Sequence, residues 1–98
     1  MVQIMKPGRK LVELGAAACS DAEILAILIG SGGSNYSALD AANKLIERYG
    51  TLAALMDKPL LDLTTIRGIK ATRAIRISAA YELARRSSDI LKVKDNEA

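Results

Sequence analysis

The sequence predicts an all-α fold, a compact bundle of about five to six short helices. Apolar residues recur three and four positions apart along most of the chain. Ser or Thr stands just ahead of several of these stretches, and Gly or Pro marks their ends. Half of the 98 residues are apolar, with no Phe or Trp and only Tyr36, Tyr49 and Tyr81 as aromatics. The core of such a chain is built from Ala, Leu and Ile, whose modest size suits closely packed helices.

Residues 1–8 contain Pro7 and Gly8 and are expected to form a flexible lead-in. Leu11, Val12 and Leu14 then set a short helix from Arg9, which Gly15 ends. Ser20-Asp21-Ala22-Glu23 reads as a capping box, in which hydroxyl and carboxylate satisfy each other's backbone donors. It opens a helix over Asp21–Ile29 that stops at Gly30. Cys19 is the single cysteine, so an intrachain disulfide is excluded; its expected role is a small buried apolar residue.

The run Gly30-Ser31-Gly32-Gly33-Ser34 superficially suggests a phosphate-cradling loop. It lacks the terminal Lys-Ser/Thr pair of a P-loop, and the chain lacks the several strands of a dinucleotide fold. The expectation is a connection between helices, with contact of its free amides to a second phosphate as a subsidiary reading. Ser37 caps the next helix, Ala38–Tyr49, whose apolar positions are Leu39, Ala42, Leu45 and Ile46, with an Asp40–Lys44 pair outside. Gly50 ends it. Thr51 caps a short helix through Met56, and Pro59 suits the first turn of another over Leu60 to about Thr64.

The segment Pro59–Arg86 organises the rest. A tight turn at Ile66-Arg67-Gly68-Ile69 separates a short helix from a long amphipathic one, with Ile66 and Ile69 folding inward. Gly68 is placed at the reversal because it alone there adopts a positive φ without steric cost. The first amides of the following helix then face outward, where unpaired N–H groups and the helix dipole favour an anion. Lys70, Arg73 and Arg76 follow at intervals of three on one side of that helix. This is the helix-hairpin-helix way of holding a nucleic-acid backbone. The candidate binding residues are Arg67, Gly68, Ile69, Lys70, Ala71, Thr72, Arg73 and Arg76.

Further along, Ala74, Ile77, Ser78, Tyr81 and Ala84 share one face, which Ile75, Ala79 and Leu83 widen. Arg85 and Arg86 suit the helix end. Residues 87–98 lack caps and periodicity and are expected to be a polar tail or linker, so the helical domain covers 9–86 with the hairpin at 60–86. Helix, glycine-rich connection, helix over Asp21–Tyr49 is echoed by Leu60–Arg86, and two such units would bury their apolar faces together.

The net charge of +3 is unevenly spread: residues 65–98 hold eight basic and four acidic side chains, whereas 34–64 hold three and four. Few aromatics argue against a base-stacking platform for single strands, so a duplex or structured DNA backbone is the expected partner. With no histidine, the chain has no His-based zinc site and no Ser-His or Cys-His pair. No enzyme activity, metal or cofactor is expected. The longest apolar run, Ile24–Ile29, is too short to span a bilayer, and Lys10 and Glu13 interrupt any leader-like stretch before Ala16-Ala17-Ala18-Cys19. The expected location is cytoplasmic.

Three blocks carry a family resemblance: KPGRKLVELGAAACSDAEILAILIGSG, SALDAANKLIERYGTLAALM and LTTIRGIKATRAIRISAAYELARR. In this order they resemble the N-terminal helical domain of the RadC family of bacterial proteins over about residues 7–86. The resemblance implies a helix-hairpin-helix type domain, an association with DNA repair, and a following JAB (MPN-type) domain with a His-rich zinc motif. That domain is missing from this sequence. The family's hairpin has a second Gly two residues after the first, where this chain has Lys70. The functional expectation is a DNA-binding module that grips phosphates without reading sequence; the alternative is a scaffold or protein-interaction domain of the same fold.

Overall fold

The computed structural model describes residues 5–30 and 36–97, with side chains through Ser88. It is all-α in the described residues. The order is α1 (Pro7–Leu14), a 3-10 turn (Ala16–Ala18), α2 (Asp21–Ile29), α3 (Ala38–Tyr49), α4 (Leu52–Met56), α5 (Leu60–Leu63) and α6 (Ala71–Glu97).

The caps fall where local chemistry puts them. Ser20 Oγ accepts from the Glu23 amide at 3.2 Å, and the Glu23 carboxylate accepts from the Ser20 amide at 2.8 Å, closing the capping box of α2. Ser37 receives the Asp40 amide and Thr51 the Ala54 amide in the same way. Each such cap contributes about 1 kcal/mol to its helix.

The core lies where α2, α3 and α6 meet, closed from below by α4 and α5. Leu25, Ala26 and Ile29 come from α2; Ala41, Ala42 and Leu45 from α3; Leu55 from α4, Leu63 from α5, and Ala74 and Ile77 from α6. Four alanines on α2, α3 and α6 let the backbones approach, so a short chain without Phe or Trp still closes. The hairpin of α2 and α3 and the hairpin of α5 and α6 share this one core, as the echo between them anticipated.

Five expectations are corrected. Pro7 and Gly8 are the first residues of α1, not part of a loose lead-in, because proline is tolerated at the first helical position, where its N–H is not needed. Cys19 is only half-buried, its Sγ 3.9 Å from the Gly15 carbonyl, because α1 and the 3-10 turn bury no side chain fully. Lys44 lies 4.0 Å from Glu47 in the next turn rather than pairing with Asp40. The α6 helix does not end near Arg86: its backbone continues to Glu97, since no Gly or Pro interrupts the sequence after Gly68. The apolar stripe of α6 is also narrower than its sequence suggests, with Ile75 56% and Leu83 66% exposed. Ser31–Ser34 of the glycine-rich run fall outside the described residues.

Candidate nucleic-acid interface

The α5–α6 turn is built around Gly68, whose φ of +89° is open to glycine and strained for other residues. Space forbids a side chain there as well. A Cβ would collide with the Tyr36 ring and stand 3.0 Å from Ala41 Cβ. Ile69 is buried and Ile66 packs against the core, so the turn is clamped from inside.

On the outer side, Lys70, Ala71 and Thr72 are exposed. The first intrahelical bond of α6 runs from the Ala74 amide to the Lys70 carbonyl at 3.0 Å, so Lys70 occupies the N-cap position. A lysine carries no acceptor and cannot cap. Unlike α2, α3 and α4, which start on Ser or Thr, α6 begins with no acceptor from its N-cap side chain, and the amides of Ala71 and Thr72 lie ahead of its first intrahelical bond. The Ile69 amide, expected to be part of this donor set, is instead spent on the Ile66 carbonyl at 3.0 Å.

Arg73 is the main correction. Its predicted spacing with Lys70 and Arg76 is real, yet the guanidinium is buried, with 2% of the residue exposed. Nε and Nη2 donate to the Gly30 carbonyl at 3.0 and 2.7 Å, and Nη1 donates to Tyr36 O at 3.0 Å and Gly68 O at 2.9 Å. A planar five-donor fork reaches all three carbonyls at once, which lysine could not do. Arg73 therefore ties the α2–α3 connection to the hairpin turn and offers no charge outward. Arg76 is exposed but partly committed, since its Nη1 donates to Ile29 O at 2.6 Å. Both arginines sit on the last carbonyls of α2, where the helix dipole favours cations.

Arg67 remains outside, its guanidinium 4.9 Å from the centre of the Tyr36 ring. Beside it the structure places two cations of α3 that were not among the candidate binding residues, Lys44, which the sequence paired with Asp40, and Arg48. They face a groove of about 460 Å³ that Thr65, Ile66 and Arg67 close from the turn side. The segmental charge concealed them, because residues 34–64 sum to a net negative value. Their i,i+4 spacing was the available signal. Farther along α6, Glu82 is engaged by Arg85 at 2.6 Å and Arg86 at 2.7 Å, and these hydrogen bonds, Arg85 first, lower its pKa to about 2. It is thus not a counter-ion for Lys70 or Arg76.

An all-helical domain whose last two helices form a hairpin around a positive-φ glycine is what these elements define. The chain belongs to the UPF0758 N-terminal family, whose model matches residues 1–75. This agrees with the resemblance to the N-terminal domain of the RadC family. It is 46% identical over 82 residues to a UPF0758 protein of Cupriavidus necator, covering 84% of this chain and 36% of that one. A UPF0758 protein of Xanthomonas axonopodis is 44% identical over 81 residues, with 83% and 36% covered. One from Xylella fastidiosa is 42% identical with the same coverage. The chain thus spans about a third of the length of these relatives. No solved structure matches it. Among the described residues no helix is long and apolar enough to cross a membrane.

Proposed function

We propose that this domain binds the DNA backbone without reading base sequence, through the α5–α6 hairpin. The observation that carries the reading is the start of α6, whose N-cap Lys70 offers no acceptor: the amides of Ala71 and Thr72 find none among the described residues, and the lysine side chain is exposed beside them. Phosphate oxygens supply both the missing acceptors and the charge such a terminus favours. The contact set is Arg67, Gly68, Lys70, Ala71 and Thr72, with Arg76 at its margin; Arg73 holds the turn in shape from behind. The association with DNA repair follows from the family resemblance and stands as part of this proposal.

A second reading has its own support. Ile24 and Leu28 of α2, Leu52 and Met56 of α4, and Tyr81 and Ala84 of α6 line an apolar cleft of about 400 Å³ on another face. A protein-interaction domain would use such a cleft.

Fluorescence anisotropy of a labelled duplex across a salt series separates the two. Backbone binding gives a log K that falls linearly with log salt, and Lys70→Glu weakens it while leaving the thermal melt of the domain in place. Absence of salt-sensitive binding by the unmodified chain overturns the DNA reading.

A further inference from the structure

The groove between α3 and the hairpin turn is polar, whereas the cleft beside α1 and the one between α2, α4 and α6 are lined mainly by apolar atoms. Two elements distant in sequence supply it. Lys44 and Arg48 stand one turn apart on α3, and Arg67 faces them from the turn. Glu47 is the one carboxylate among its lining residues, 4.0 Å from Lys44, so the groove keeps a positive balance. Arg48 makes no ion pair among the described residues, and its place in the last turn of α3 satisfies the helix dipole without occupying its donors. Arg67 is held in place by the Tyr36 ring, which lowers the entropy cost of using it. The groove shares Arg67 with the proposed DNA contact, so the two meet at that residue.

We infer that this groove is a second backbone-phosphate site, so that the domain grips DNA at two points, the amide end of α6 and the Lys44–Arg48–Arg67 groove. The inference rests on the DNA reading above. It deepens that reading by naming residues of α3 as contacts and by requiring phosphates on both sides of the turn. Glu47 then acts as an internal competitor, since its carboxylate, 4.0 Å from Lys44, partly offsets the charge a phosphate would meet.

The test uses the same anisotropy titration with Lys44→Gln/Arg48→Gln, Glu47→Gln, Lys70→Glu and, as a control that also removes positive charge but on α1, Arg9→Gln. Each phosphate released from the interface makes the plot of log K against log salt shallower by about 0.9. The double variant is expected to lose about one to two units of slope, Glu47→Gln to bind more tightly than the unmodified chain, and Arg9→Gln to keep the original slope. An unchanged slope in the double variant together with weakened binding in Lys70→Glu overturns the groove and leaves the hairpin reading standing. Equal reductions per charge removed in the double variant and in Arg9→Gln also overturn the groove, because charge alone would then explain them. No salt-sensitive binding by the unmodified chain removes both. Glu47→Gln gives a gain of affinity that a folding defect in the double variant cannot mimic.

Discussion

Arg73 donates two hydrogen bonds to the carbonyl of Gly30, forty-three residues away in the chain, at 3.0 and 2.7 Å. The same guanidinium reaches Gly68 in the hairpin turn at 2.9 Å. A cation in the interior is costly, and here its donors are answered by main-chain oxygens whose own bonding needs it meets in return. The two helical hairpins of the chain are therefore joined by a polar clasp as well as by apolar packing.

Removing that clasp leaves the carbonyls of Gly30, Tyr36 and Gly68 short of donors in a buried place. Arg73→Met is expected to destabilise the domain by about 1–3 kcal/mol, the cost of leaving part-buried carbonyls without donors, since it removes the buried charge itself. Arg73→Lys recovers only part of this, because an ammonium lacks the planar fork. Urea unfolding followed by circular dichroism measures both. A destabilisation below about 1 kcal/mol in Arg73→Met would show that the clasp is incidental.

Gly68 answers to two constraints at once, a φ of +89° and the Tyr36 ring packed where a Cβ would go. Strain of a non-glycine residue at positive φ and overpacking each cost about 1–3 kcal/mol. Gly68→Ala should therefore lower stability by at least about 2 kcal/mol in the same unfolding assay. In a double-mutant cycle with Tyr36→Ala, which carries its own packing cost, the coupling should recover the part due to the ring and leave the backbone part and the Ala41 contact.

Two carboxylates titrate below their ordinary value, Glu23 in the first turn of α2 and Glu82 within α6. Glu23 lies below its ordinary value of 4.5, chiefly through the Ser20 backbone hydrogen bond and then through Lys10, whose Nζ is 3.0 Å away. Glu82 is lowered to about 2 by the hydrogen bonds of Arg85 and Arg86. Both are depressed on folding, so each contributes stability that is present above the ordinary value of 4.5 and is lost as pH falls through its own folded value, about 2 for Glu82. Thermal melts should show this acid loss reduced in Glu23→Gln and in Glu82→Gln. Ser20→Ala should cost about 1 kcal/mol at neutral pH. An acid limb unchanged in both carboxylate variants would place the titration elsewhere.

Much of the fold was legible because its signals are local. Ser20, Ser37 and Thr51 cap helices through hydroxyls that reach amides three residues on, and Gly68 turns the chain through its own φ. Such relationships are complete within a few residues, so the residue order reveals them. The course of the chain after Ser87 was misjudged because weak apolar periodicity was read as the end of a helix. Helix propensity and the absence of a breaker carry the backbone of α6 on to Glu97.

The candidate site was legible only in part. Its turn, its uncapped helix start and its charged neighbours were written in the residue order, as were the all-α class and the family. Which of those charges face outward was decided by the tertiary structure. Spacing placed Lys70, Arg73 and Arg76 on one side of α6, but it could not say that Gly30 at the end of α2 and Tyr36 ahead of α3 would lie against the middle of that side. Once they do, the carbonyls of Gly30 and Tyr36 bind the Arg73 guanidinium and draw it into the interior. The packing of α3 brings Lys44 and Arg48 toward Arg67 from the opposite direction. Helical periodicity orders side chains about one axis; the partners of a charge depend on where the other helices pass, and that is set by the packing of the whole core.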